Sequence, residues 1–156
     1  MIISLGYSDA LGGLDIVPAT GDSLTWLNNA ISISLFTDAR ASDDDTLPDS
    51  RQDRRGYWGD MDLDDNQSLG SKLWLLSRSK ITQDTLNAMH DYLTEAVQWL
   101  IDEGHLLAIK VTVERDTQGI QGAGDQNRVN FRLDCQLNDG EWVSVFRAHE
   151  ITNGDE

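Results

Sequence analysis

Between residues 82 and 103, apolar side chains recur at intervals of three and four. Leu86, Met89, Leu93, Ala96, Val97, Leu100 and Ile101 form the series, and Asn87, Asp91, Glu95, Gln98 and Asp102 lie on the other side. On an α-helix this spacing draws one apolar stripe opposite a polar face. Such a stripe has to be covered, so the rest of the chain must supply a surface to bury it. Thr82 can cap the start by accepting a free backbone N–H, and Asp84 favours the positive end of the helix dipole. Gly104 suits the left-handed residue that stops the helix.

Beyond Gly104 the period changes to two. Ile109, Val111 and Val113 alternate with Lys110, Thr112 and Glu114, and Val129, Phe131, Leu133, Cys135 and Leu137 alternate with polar neighbours. These are strands with one buried face. Asn138-Asp139-Gly140 is a tight hairpin signal, with residues 141–146 as the return strand. Upstream, Ala30-Ile31-Ser32-Ile33-Ser34-Leu35-Phe36 also alternates, and predicts a strand over 31–36. The fold expected is α+β: a two-layer sandwich, one long amphipathic helix at about 82–103 packed on an antiparallel sheet. The first third, punctuated by Gly6, Gly12, Gly13, Pro18 and Gly21, reads as irregular, with Leu24, Trp26 and Leu27 the first residues to reach the core. The glycine-containing stretch 116–127 reads as a long loop. The 156 residues fit a single domain, 1–156, with 1–30 an irregular arm and 31–150 the α+β core.

Charge narrows the function. The formal net charge is −15, a surface that repels phosphate backbones, so nucleic acid is not an expected partner. A protein partner should carry compensating basic residues. From Asp38 to Asp65 ten aspartates face four arginines, and this acidic loop should sit in water. No stretch is long and apolar enough for a membrane-spanning helix, and the start lacks a secretory pattern, so synthesis and retention in a cytoplasm are expected. The lone Cys135, in an alternating apolar run, reads as a small buried hydrophobe. His90, His105 and His149 have no ligand-pair spacing and read as packing or helix-end residues.

Asp60, Asp62 and Asp64 alternate like the start of a calcium loop. The sixth position is Asp65 and the twelfth Ser71, where such a loop needs glycine and glutamate, so a solvated acidic loop is the favoured reading. No nucleophile elbow, phosphate loop or dinucleotide fingerprint is present, and no catalytic, metal or cofactor residue is assigned. The segment Arg54-Arg55-Gly56-Tyr57-Trp58-Gly59-Asp60 is different in kind. Arginines beside aromatics and flexible glycines are typical of interface anchors. For Trp58 the favoured reading is a plug in the core; for Arg54 and Arg55 it is a mixed role, ordering the loop and presenting it. Leu73-Trp74-Leu75-Leu76 reads as a short helical turn or buried segment, with Trp74 and Trp99 in the core. Arg78 and Lys80, basic exceptions flanking the helix start, can pair with the acidic loop or with another subunit. The candidate partner interface is therefore Arg54, Arg55, Tyr57, Trp58, Asp60, Arg78 and Lys80.

Four blocks in this order resemble a known family. They are Ser34-Leu35-Phe36-Thr37-Asp38-Ala39-Arg40-Ala41, the segment 54–60, Gly70-Ser71-Lys72-Leu73-Trp74-Leu75-Leu76-Ser77-Arg78-Ser79-Lys80, and Glu95-Ala96-Val97-Gln98-Trp99-Leu100-Ile101-Asp102-Glu103-Gly104. Over about residues 30–115 the chain resembles the baseplate wedge family of Mu-like contractile-tailed phages and prophages, similar to the small lysozyme-like-fold wedge proteins of other contractile tails. Tyr57 stands where tryptophan is common in that family. The resemblance implies a non-enzymatic structural subunit of the tail baseplate in the virion, assembled in the host cytoplasm. The partners it implies are the larger wedge proteins, the central hub and spike, and the first sheath ring. Strand exchange at an exposed edge, either strand 31–36 or the C-terminal hairpin, is the implied mode of docking. Two other readings stay open: a tail-associated peptidoglycan hydrolase, and a divalent-cation module using Asp60, Asp62 and Asp64.

Overall fold

The computed structural model describes residues 2–8, 13–19, 23–64, 67–115 and 129–146. In chain order they form β1 (Ile2–Ser8), β2 (Gly13–Ala19), α1 (Ser23–Phe36), α2 (Gln83–Asp102), β3 (Ala108–Arg115), β4 (Val129–Gln136) and β5 (Trp142–Phe146). Two short 3-10 helices, Trp58–Asp62 and Leu73–Leu76, interrupt the segment between α1 and α2. The architecture is α+β: the expected long helix, α2, packs on the antiparallel sheet β3-β4-β5, and a second helix, α1, joins it. The loop expected at 116–127 lies outside the described residues.

The stripe in α2 buries as its spacing requires. Met89, Leu93, Ala96, Val97 and Leu100 are buried, and the helix packs on β3 and α1. The Thr82 side chain accepts from the Thr85 N–H, closing the start. At the other end Gly104 has φ +78°, and the N–H groups of His105 and Leu106 return to the Leu100 carbonyl. In β4, Val129, Phe131, Leu133 and Cys135 point inward while Asn130, Arg132, Asp134 and Gln136 lie on the other face. Burial, with Asp134 adding to it, pushes the Cys135 thiol up to about 11, so Cys135 is neutral packing. Gly140 takes φ +90° in the turn to β5, and Asn138 donates to the Gly104 carbonyl, tying that turn to the end of α2.

Two expectations for the first third are corrected. The described part of residues 1–30 is not an irregular arm: β1 and β2 pair antiparallel, from Ile2 opposite Ala19 to Ser8 opposite Gly13, and α1 begins at Ser23. Residues 31–36 are not a strand but the second half of α1. The alternation misleads because the serines are not a solvent face. Leu27, Ile31 and Leu35, four apart, form the buried row, and Ser32 and Ser34 are buried beside it. The Ser34 hydroxyl donates back to the Ala30 carbonyl at 2.8 Å and accepts the Trp99 indole N–H at 2.9 Å. A serine satisfied in this way occupies a helix–helix contact without an orphaned polar atom. Trp99 is thus half-buried and anchored to α1, and its ring meets His105 edge-on at 5.8 Å.

Ser34→Ala removes the acceptor from a part-buried indole N–H, and we expect a loss of about 1–3 kcal/mol of stability in urea unfolding. Ser32→Ala, which leaves that bond intact, is the control, with a smaller expected loss.

Candidate functional site

The long segment between the helices is built as a second layer, fastened to the end of α1. Asp38 and Ser71 form a parallel bridge: the Ala39 N–H reaches the Ser71 carbonyl at 3.0 Å, and the Ser71 N–H reaches Thr37 at 2.8 Å. The buried Ser71 hydroxyl donates to the Leu35 carbonyl at 2.6 Å, filling one of the acceptors a helix end leaves open. Gly70 makes this approach possible. Its φ is +112°, and a β-carbon there would lie 2.4 Å from the Thr37 oxygen.

On this fastening sits an arginine clamp. Trp74 is buried, and its indole N–H donates to the Ala39 carbonyl at 2.8 Å. The Arg55 guanidinium lies over the Trp74 ring at 4.7 Å and pairs with Asp38 at 2.6 Å. Arg55 is the one non-glycine residue with positive φ (51°) among the described residues. Its N–H is held by the Asp53 carboxylate at 2.9 Å, and the carbonyl of Arg54 accepts from the Ala41 N–H at 2.9 Å. That backbone conformation costs about 1 kcal/mol or more in a non-glycine residue. The ion pair, the ring contact and the Asp53 turn together hold it. Arg54 donates to the Ser42 carbonyl and lies 3.8 Å from the Asp43 carboxylate. Both arginines therefore order the loop from within.

A second ion pair braces the layer lower down. Lys72 meets Asp45 at 2.9 Å, with both side chains about four-fifths covered. Burial pushes the Asp45 acid up, but the bond to Lys72 and those from the Ser42 N–H and hydroxyl outweigh it, so Asp45 titrates below its ordinary value. The bond to Asp45 likewise raises Lys72, against an opposing effect of burial.

Beyond the clamp the chain turns outward. Trp58 is 75 % exposed, which corrects the expectation that it plugs the core. The buried tryptophan nearby is Trp74, and the Trp58 ring leans on half-buried Tyr57 at 5.3 Å. Gly59 admits this fold of the chain, since a β-carbon there would strike the Tyr57 ring at 2.4 Å. Asp60 accepts the Leu69 N–H at 2.8 Å, tying the 3-10 turn to the stretch that leads into Gly70. Met61 and Leu63, three and five residues beyond Trp58, are 87 % and 42 % exposed. Sequence reading missed both, because the alternating aspartates drew attention from the apolar residues between them. The signal was there: in a loop that must stay in water, apolar residues between charges have no core to enter. Among the described residues no group of three carboxylate, histidine or cysteine side chains converges as a metal site would require.

Arg78 and Lys80 are exposed and stand apart from this turn. Arg78 borders an open pocket of about 440 Å³ lined with Leu47, Leu75 and Tyr92, and neither it nor Lys80 makes an ion pair among the described residues. The structure thus brings Arg54, Arg55, Tyr57, Trp58 and Asp60 together and leaves Arg78 and Lys80 at the approach to α2.

The chain is thus an α+β core carrying a braced, acidic loop layer from which aromatic and apolar residues face outward. Comparison with known proteins gives the family. Residues 27–141 match the model of the phage protein GP46 family, so the chain belongs to that family. It is 50 % identical over 110 residues to the baseplate protein gp46 of Escherichia phage Mu, a match covering 70 % of this chain and 71 % of that protein. It is 42 % identical over 90 residues to the Mu-like prophage FluMu protein gp46 of Haemophilus influenzae, covering 58 % of this chain and 56 % of that protein. The resemblance carried by the four sequence blocks is thereby established at the level of the Mu-like baseplate family.

Gly70→Ala should cost several kcal/mol and break the fastening, since it combines a strained φ with a backbone clash; an early, broadened thermal transition with loss of Trp74 burial in fluorescence is the expected readout. For the Asp45–Lys72 pair the pH dependence has a definite sign. The folded-state value of Asp45 lies below its ordinary 3.8, so its contribution is complete above 3.8 and disappears as pH falls through the lower folded value. Lys72 lies above its ordinary 10.5, so its contribution is complete below 10.5 and disappears as pH rises through the higher value. Replacing Lys72 by Met should flatten the loss of melting temperature between about pH 5 and about pH 2 relative to the unaltered chain.

Proposed function

We propose that this protein is a non-catalytic structural subunit of a phage tail baseplate, an inner wedge adaptor that joins its neighbours through the loop layer. The observation that carries this reading is the family match over residues 27–141, which runs from Leu27 within α1 through the loop layer and α2 to the sheet as far as the turn before β5. The relative in phage Mu is named a baseplate protein. The chemistry of the loop layer suits the role. Asp38, Asp45 and Asp60 are engaged by Arg55, Lys72 and the Leu69 amide. Asp45 is held ionised, the opposite of what a general acid requires. These carboxylates brace loops.

On this reading the partners are the larger wedge proteins, the central hub and spike, and the sheath, and the protein resides in the virion tail after assembly in the host cytoplasm. Residues 31–36 are helical, so they cannot supply the docking edge once expected there. The sheet order β3-β4-β5 makes β3 and β5 the outer strands, and β5, in the C-terminal hairpin, is the edge we assign to strand exchange with the sheath.

The test is co-expression with the tail proteins encoded beside this chain. The expected outcome is a complex of fixed stoichiometry that survives gel filtration, with no cell-wall hydrolysis by the purified chain. A chain that stays free in every combination, or complete infectious particles formed without it, would remove the proposal.

A further inference from the structure

We infer that the turn Trp58–Asp62 with Leu63 is a docking knob, and that it enters an apolar pocket rimmed by lysine or arginine on another protein of the same tail. The inference rests on the baseplate reading and names the kind of surface that reading requires. Trp58, Met61 and Leu63 form an exposed apolar group within six residues of chain. Tryptophan and methionine are enriched at the centres of protein interfaces. The turn is braced before any partner arrives, by the Tyr57–Trp58 ring contact, the fit of Gly59 under Tyr57, and the Asp60–Leu69 staple. A preset shape lowers the ordering cost of binding.

Charge selects the occupant. Exposed Asp62 and Asp64 alternate with Met61 and Leu63, and neither carboxylate makes an ion pair among the described residues. A pocket that takes Met61 therefore brings its rim against two free carboxylates. A second copy of this chain does not fit: matching knobs would juxtapose like charges on two molecules of formal charge −15, and the pocket beside Arg78 carries Asp44 and Asp45 in its lining, which would repel the acids of the knob. The same sign disfavours an anionic lipid surface. A protein pocket with an apolar floor and a cationic rim satisfies both halves of the knob.

The experiment uses the full chain and the tail protein that co-purifies with it, with affinity measured by titration calorimetry. Trp58→Ala should weaken binding roughly thirtyfold, the scale of an interface hot spot. The pair Asp62→Lys with Asp64→Lys should weaken it about tenfold or more and reverse the loss of affinity with added salt. Both variants should melt within a few degrees of the unaltered chain, since the altered side chains are exposed. A photocrosslinker in place of Met61 gives an independent readout, expected to label a partner segment rich in lysine or arginine. Unchanged affinity for Trp58→Ala in a complex that still forms, or crosslinking to a second copy of this chain, overturns the knob and leaves the baseplate reading standing. Failure of any tail protein to co-purify overturns both.

Discussion

The fastening of Ser71 to the end of α1 is the contact on which the rest of the loop layer depends. A helix end leaves carbonyls without partners, and a long polar segment leaves backbone with nowhere to hydrogen-bond. Here each answers the other. The Ser71 hydroxyl closes on Leu35, its amide closes on Thr37, and its carbonyl receives Ala39. With that strand-like contact made, Ala39 is positioned to receive the Trp74 indole, and Trp74 is positioned beneath Arg55. The order of dependence runs from helix end to bridge to ring to guanidinium. None of these groups is individually strong in water, and an exposed ion pair contributes at most about 1 kcal/mol. Their value lies in sharing a frame that the buried core of α1 and α2 has already fixed.

How much of this could be read from the sequence follows from which interactions are local. The α2 stripe, its Thr82 cap and its Gly104 stop are local, and each was legible. So were β3, β4 and the turn at Asn138-Asp139-Gly140, where period two coincides with a real sheet face. The stretch 30–36 was not legible, because period two there had another cause. Buried Ser32 and Ser34 mimic the polar half of a strand, while Ser34 in fact serves a tryptophan 65 residues away. A single sequence carries no sign of that partner. Trp58 is misplaced for a similar reason, while Trp74 lies in the core as expected. Both sit in glycine-flanked aromatic segments, and only the long-range contacts with Ala39 and Arg55 decide which ring is covered.

The candidate interface divides along the same line. The arginines were legible as special, and the structure shows what they do within the chain: they complete the frame. The residues left facing outward are the apolar ones beyond them. This separation has a physical logic. Arginine forks and carboxylates are directional, so they suit the task of holding a loop in one shape. Apolar surface is not directional, so it suits the task of releasing free energy when a complementary pocket excludes water.

The strong negative charge then acquires a definite part. A loop carrying an exposed tryptophan and methionine is an aggregation hazard in a chain that must wait for its partners. Net charge far from zero suppresses association between copies, and the aspartates flanking Met61 and Leu63 place that protection at the hazard itself. In the docking proposed above, the same carboxylates that would repel a second copy would become favourable contacts with a cationic rim. Under that proposal, solubility before assembly and selectivity during assembly are two consequences of one arrangement, in which apolar anchors alternate with acids on a turn braced by the Tyr57–Trp58 ring contact and the Asp60–Leu69 hydrogen bond.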